Sequence, residues 1–200
     1  MFCFPTDVVG EHARKGRPAR IVVKVNGLED PAIVRELYRA SMAGVEIDLI
    51  VRDICRLRPG LEDVSETISV YSVVGRFLEH SRIFYFENGG DPEYYLGSAD
   101  WMTRNLDHRV EAVTPVEDPA IRRQLKFNLE LILADNRRRW TMHSDGSYDH
   151  QAPGDDPAVD TQAVLMEEAH TTARDEEATV GIPCSFPVEG DLLVEPTEGG

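Results

Sequence analysis

The sequence predicts an α/β domain built on a mixed sheet, and three observations carry that prediction. Two short β-branched runs flank one amphipathic helix near the N-terminus. Four more strand-like runs follow, two of them separated by a Gly-rich turn. One long helix with a single apolar face comes after them. Strands alternating with helices of this length define an N-terminal βαβ unit inside a layered α/β fold with flanking helices.

Residues 20–26 (RIVVKVN) are β-branched and end in Asn-Gly, which reads as a buried strand. Asp30 then caps a helix with Pro31 in its first turn, and Ile33, Val34, Leu37, Tyr38 and Met42 recur at helical spacing. Gly44 ends that helix, and 45–51 (VEIDLIV) is the second strand, parallel to the first through a right-handed crossover. A loop over 52–65 contains the breaker Pro59-Gly60. Residues 68–73 (ISVYSV) alternate as a third strand. Residues 82–87 (RIFYFE) and 93–98 (EYYLGS) form a hairpin around Asn88-Gly89-Gly90, and 109–114 (RVEAVT) is a sixth strand. Asp118 and Pro119 open the longest helix, over 118–139, with Ile121, Leu125, Leu129, Ile132 and Leu133 on one face. Residues 140–148 read as a small terminal hairpin around Asp145-Gly146.

Charge divides the chain. The 60 residues from 141 onward hold 14 acids and one base, Arg174, whereas residues 1–140 hold 22 acids and 20 bases. The net charge of −15 therefore belongs to the C-terminal segment. The expected organisation is a lead-in over 1–12, a domain over 13–150, and an acidic, mostly disordered tail over 151–200 with a marginal helix near 161–178. Eighteen of the 21 cations are arginines. An arginine-rich body suits bidentate recognition of phosphate or carboxylate, although an arginine-leaning composition accounts for it equally. No run approaches the ~20 apolar residues of a membrane span, and nothing at the start resembles a signal peptide. Cys3, Cys55 and Cys184 are too few and too scattered for a disulfide framework or a zinc site, so a cytoplasmic protein with no metal ligands of its own is expected.

The chemistry-bearing stretch is His80-Ser81-Arg82, with Glu87 further along and then Gly97-Ser98-Ala99-Asp100. On a strand, side chains two apart share a face, which would set the His80 imidazole beside the Arg82 guanidinium. A Gly-Ser turn could then bring backbone N–H groups to the same anion. The spacing varies the phospholipase-D-superfamily motif His-x-Lys-x4-Asp followed by Gly-Ser-x-Asn, with Arg82 for Lys, Glu87 for Asp and Asp100 for Asn.

The surrounding blocks are more specific. KVNGLEDP (24–31), LIVRDICRLRPG (49–60), VVGRFLEHSRIFYFENGG (73–90) and YLGSADWMTRNLDHRVEAVTPVEDP (95–119) closely resemble the second phospholipase-D-like catalytic domain of long-form polyphosphate kinases, over about 13–148. The resemblance implies a phospholipase-D-like domain and reversible transfer of the ATP terminal phosphate to inorganic polyphosphate through a phosphohistidine. That phosphohistidine belongs to the family's first catalytic domain. By motif, His80 resembles the family's other active-site histidine, a phosphate contact and proton donor or acceptor. Arg52 resembles its ATP-binding arginine, placed directly after a strand of the parallel pair, where open α/β sheets bind ligands. Arg82, Arg104, Arg109 and Glu111 would complete the wall; for Arg104 and Arg109 the alternative is a surface ion pair with Asp107 or Glu111.

The resemblance also implies ATP/ADP and polyphosphate as ligands and Mg2+ as cofactor, its ligands expected outside this chain. The chain reads as a truncated or split piece needing upstream catalytic domains or a homo-oligomer, with no nucleic-acid partner. Two other readings remain open: a non-catalytic nucleotide- or polyphosphate-binding remnant, and a phospholipase-D-like phosphodiesterase completed by dimerisation.

Overall fold

A strand of seven residues with five consecutive buried positions must be covered on both faces, and the first strand meets that condition. The structure, a computed structural model that describes residues 6–175, places α1 (Thr6–Arg14) before β1 (Ala19–Val25). There follow α2 (Pro31–Met42), β2 (Glu46–Val51), β3 (Ile68–Val73), β4 (Ile83–Asn88) and β5 (Glu93–Gly97). After these come α3 (Thr103–His108), β6 (Val113–Pro115), α4 (Pro119–Ala134), β7 (Arg139–Met142), β8 (Tyr148–His150) and α5 (Thr161–Asp175). The strands form one eight-stranded sheet in the order β6-β5-β4-β1-β2-β3-β7-β8.

β1, β2 and β3 are parallel neighbours, whereas β4 lies antiparallel to β1 with Lys24 opposite Ile83. β1 is therefore central, and the alternation of its side chains feeds two cores. Ile21, Val23 and Val25 join Leu49, Val51, Phe84, Phe86 and Leu37 of α2 on one face. Val22 joins Ile50, Ile83, Tyr85 and the α4 stripe Leu125, Leu129, Ile132 and Leu133 on the other. The Asp30 carboxylate accepts the amides of Ala32 and Ile33, the cap expected for α2, and Asp118 does the same for α4.

The mixed α/β class and the βαβ unit are as the sequence indicates, and several boundaries differ for local reasons. α1, which has Gly10 inside it, and the six-residue α3 are additions to the predicted elements: Val9 is the fully buried apolar residue of α1, and Asn105 is the buried residue of α3. The sixth strand begins at Val113 rather than 109. The chain before it is held instead by Ser98, whose N–H donates to Ala112 O (2.9 Å) and whose Oγ accepts from Ala112 N (3.0 Å). α4 stops at Ala134 because the fully buried Asp135 turns the chain, accepting from the amides of Arg137 (2.9 Å) and Arg138 (2.6 Å).

The same carboxylate accepts from Thr161 N at 2.8 Å, so the start of α5 is tied to the end of α4. Residues 161–175 thus form a helix whose first residue is buried, inside the segment read from composition as a tail. The remainder of that tail, 176–200, and the first five residues of the lead-in lie outside the described residues. Among the described residues no helix is long and apolar enough to cross a membrane.

Asp135 carries three N–H bonds from a dry site. Asp135→Ala is expected to lower the unfolding free energy by about 2–3 kcal/mol and to speed amide exchange across α5. A denaturant titration and a hydrogen-exchange measurement check this; a change under ~0.5 kcal/mol with α5 unaffected contradicts it.

Candidate active site

The parallel strands β1 and β2 end side by side, and their next residues, Asn26 and Arg52, leave the sheet at the same edge. Three backbone bonds hold that edge: Arg52 N–H to Val25 O (3.3 Å), Asp53 N–H to Asn26 O (2.9 Å) and Trp101 N–H to Gly27 O (3.1 Å). The packing around residue 27 is tight. A Cβ on Gly27 would stand 2.7 Å from Met102 Sδ, so any larger residue there would have to displace the Met102 side chain. Phe84 stacks on the buried Trp101, centroids 5.6 Å apart, and fixes the segment that follows β5.

Asp100, only 4% exposed, is where these segments meet. Its Oδ1 accepts from Asn26 N (2.7 Å), Asn26 Nδ2 (3.1 Å) and Arg82 Nε (3.2 Å). Its Oδ2 accepts from Arg82 Nη2 (2.7 Å), completing a bidentate guanidinium–carboxylate pair. Arg82 Nη1 then donates to His80 Nδ1 (2.8 Å) and to the His80 carbonyl (3.2 Å). On the other side Asn26 Oδ1 accepts from Arg52 Nε at 3.1 Å. One polar chain therefore runs Arg52–Asn26–Asp100–Arg82–His80. It lines a cleft of about 330 Å³ with Asn26, Arg52, His80, Asp100, Met102 and Arg104 among its walls.

Two chemical consequences follow. A guanidinium can only donate, so His80 Nδ1 is the acceptor and the proton of the neutral ring sits on Nε2. His80 thus offers an N–H, suited to binding a phosphate oxygen or protonating a leaving one, rather than a nucleophilic lone pair at Nε2. Arg52 commits only Nε within the described residues and keeps both terminal nitrogens for an anion. Burial works to raise the Asp100 carboxyl, but the Arg82 and Asn26 hydrogen bonds and the Arg82 charge outweigh it and hold the pKa below the usual range.

Some expectations are corrected. His80 and Arg82 precede β4 rather than lying on it, because β4 starts at Ile83. They meet through Arg82 folding back on residue 80, not through strand alternation. The Gly97 and Ser98 amides are not available to a phosphate: they donate to Arg82 O (3.2 Å) and Ala112 O (2.9 Å). Glu87 lies towards the far end of β4, buried, accepting from Tyr85 Oη (2.7 Å) and Gly90 N (2.6 Å).

Of the six predicted site residues, Arg52, His80 and Arg104 line the cleft, and Arg82 braces it from behind. Arg109 and Glu111 are not among its walls. Arg109 is exposed at the end of α3. Glu111 accepts from the Ser98 hydroxyl and from Asn105 Nδ2 (2.7 Å), and those bonds hold its carboxyl low. Sequence reasoning missed Asn26, whose Asn-Gly signal reads only as a turn, and Met102, which carries no chemical signal. A larger hollow of about 480 Å³ runs along α5 past Met166, Glu167 and His170, apart from this polar chain. No group of three or more His, Cys, Asp or Glu among the described residues could hold a metal ion.

The structure is thus an α/β domain with an arginine–histidine cleft at the carboxyl ends of its parallel strands, the edge at which open α/β sheets bind ligands. The family described as "Polyphosphate kinase C-terminal domain 2" matches residues 6–162, and the chain belongs to that family. The polyphosphate kinase of Thermosynechococcus vestitus is 59% identical over 157 residues, covering 78% of this chain and 21% of that protein. The polyphosphate kinase of Pseudomonas aeruginosa is 54% identical over 157 residues, covering 78% and 23%. In three dimensions the chain is similar to the crystal structure of polyphosphate kinase from Porphyromonas gingivalis: TM-score 0.80, 39% identity, covering 86% of this chain and 26% of that one. The chain thus spans about a fifth of the length of these curated relatives. The match runs past both ends of the 13–150 unit read from sequence.

Because its folded carboxyl ionises more readily than in the unfolded chain, Asp100 stabilises the fold fully above the unfolded value of about 3.9. That contribution fades as pH falls through the lower folded value. Denaturant titrations should find Asp100→Asn less stable than wild type at pH 7, with the gap narrowing as pH drops below about 4. A gap constant from pH 7 to 2 contradicts this.

Proposed function

We propose that this chain supplies one half of a polyphosphate kinase site, gripping the phosphates of ATP and of inorganic polyphosphate while the terminal phosphoryl group is transferred between them. The observation that carries the reading is the convergence of His80 Nε2–H and the free end of Arg52 on one cleft, within a chain of this family. Phosphoryl transfer asks mostly for positioning and for charge aimed at the equatorial oxygens. Arg52 supplies a forked donor set and Arg104 a second cation, whereas Arg82, neutralised by Asp100, orients rather than binds.

In this reading the bond between the γ-phosphorus and the β–γ bridging oxygen breaks as a P–N bond forms to a histidine of the family's first catalytic domain, outside the matched residues. The P–N bond then breaks as a terminal polyphosphate oxygen bonds to phosphorus. His80 holds the proton at Nε2 that a departing phosphate oxygen can take. The first catalytic domain would come from upstream sequence or another chain. Magnesium, its ligands expected outside this chain, would offset phosphate charge when bound, and no step on this chain is routed through it. Cytoplasmic residence belongs to the same reading.

Calorimetric titration of the full chain with ATP and with tripolyphosphate tests this. Binding to wild type is expected, weakened about 10–100-fold by Arg52→Ala, the range for loss of a charged hydrogen bond. His80→Gln should weaken it less. Absence of binding, or binding indifferent to Arg52, opposes the reading.

A further inference from the structure

Lysine is an improbable residue for the middle of a sheet, yet Lys24 is 2% exposed on the central strand β1. It follows Val22 on the face covered by α4, where an ammonium must find acceptors. It finds two: the Glu79 carboxylate at 2.5 Å and the Ser81 carbonyl at 3.3 Å. These acceptors belong to the residues immediately before and after His80.

We propose that Lys24 is a positioning residue for His80, holding the backbone on both sides of that histidine so that Arg82 meets its ring in one orientation. The residues between β3 and β4, 74–82, are fixed chiefly by side chains rather than by sheet pairing. Glu79 also accepts from Ser81 N (2.9 Å) and from the Ser81 hydroxyl, tying residues 79 and 81 together across residue 80. Further back, Gln162 of α5 pairs with Phe77, accepting from its N–H (2.9 Å) and donating to its carbonyl (2.8 Å). A Cβ on Gly75 would stand 2.4 Å from Gln162 Oε1, so that approach depends on glycine. The segment is thus anchored by Gln162 at 77, by Lys24 at 79 and 81, and by Asp100 at 82. Lys24 holds the stretch that contains the imidazole. Burial works to raise the Glu79 carboxyl, but the Lys24 charge and the hydrogen bonds from Lys24 and Ser81 together outweigh it and hold the group below its usual range, ionised as the pair requires.

The role rests on His80 being the group that meets phosphate, and the test separates the two. Lys24→Met alone leaves Glu79 buried and unpaired, so Lys24→Met/Glu79→Gln carries the experiment. In the full chain with 15N-labelled histidine, His80 is assigned by the signal lost in His80→Gln. Wild type should show the Nε2–H tautomer. The double variant should unfold cooperatively, show a mixed His80 tautomer and bind tripolyphosphate about 5–10-fold more weakly. A folded double variant with wild-type tautomer and affinity overturns the positioning role and leaves the phosphate reading standing. A wild type that ignores tripolyphosphate while the tautomer still shifts in the variant removes the phosphate reading and keeps the positioning role. Loss of cooperative unfolding assigns the pair to stability alone and overturns the proposal.

Discussion

The bidentate contact between Asp100 and Arg82 is the interaction on which the rest of the site depends. It joins the segment that follows β5 to the residue before β4, and through Asn26 it reaches the end of β1. Neither charge could stay so far from water alone, and removing one partner of a buried pair typically costs about 3–5 kcal/mol. The net worth of the pair to stability is smaller, since desolvation offsets much of the attraction. What it confers is direction. With two nitrogens on Asp100, the guanidinium has one edge left, and that edge is turned to His80 Nδ1. A lysine at position 82 would offer a point charge and could not hold a carboxylate on one edge and an imidazole on the other.

Both ends of this polar chain sit where the topology leaves backbone free. Parallel β1 and β2 release Asn26 and Arg52 at the same edge, and antiparallel β4 enters the sheet there, so residues 80–82 arrive beside them. The two apolar cores hold that edge rigid from both faces.

Much of this architecture is legible in the sequence because the signals are local. Asp30-Pro31 and Asp118-Pro119 mark helix starts by capping chemistry alone, and ISVYSV marks β3 to the residue by alternation. Arg52 and His80 were legible only through the blocks around them, since a lone His-x-Arg says little. What escaped was non-local. The sixth strand starts late because Ser98 captures Ala112, and Asp135, which ends α4 early, is bound across the fold to Thr161, contacts that no short window of residues displays. Composition placed α5 in a tail; its first turn is nevertheless bound to Asp135, and its second residue to the loop beside His80. Lys24 looked like one polar residue in a strand, because its two acceptors lie more than fifty positions away.

The central claim is that one imidazole, with its proton on Nε2, faces condensed phosphate. A titration of the 15N-histidine-labelled full chain with tripolyphosphate reads it directly, since the chain has six histidines to compare. The account predicts that His80 Nε2 shifts saturably, retaining its proton, while His12, His108, His143, His150 and His170 stay near their starting values. Saturation with no movement at His80, or equal drift of all the histidines, would contradict it.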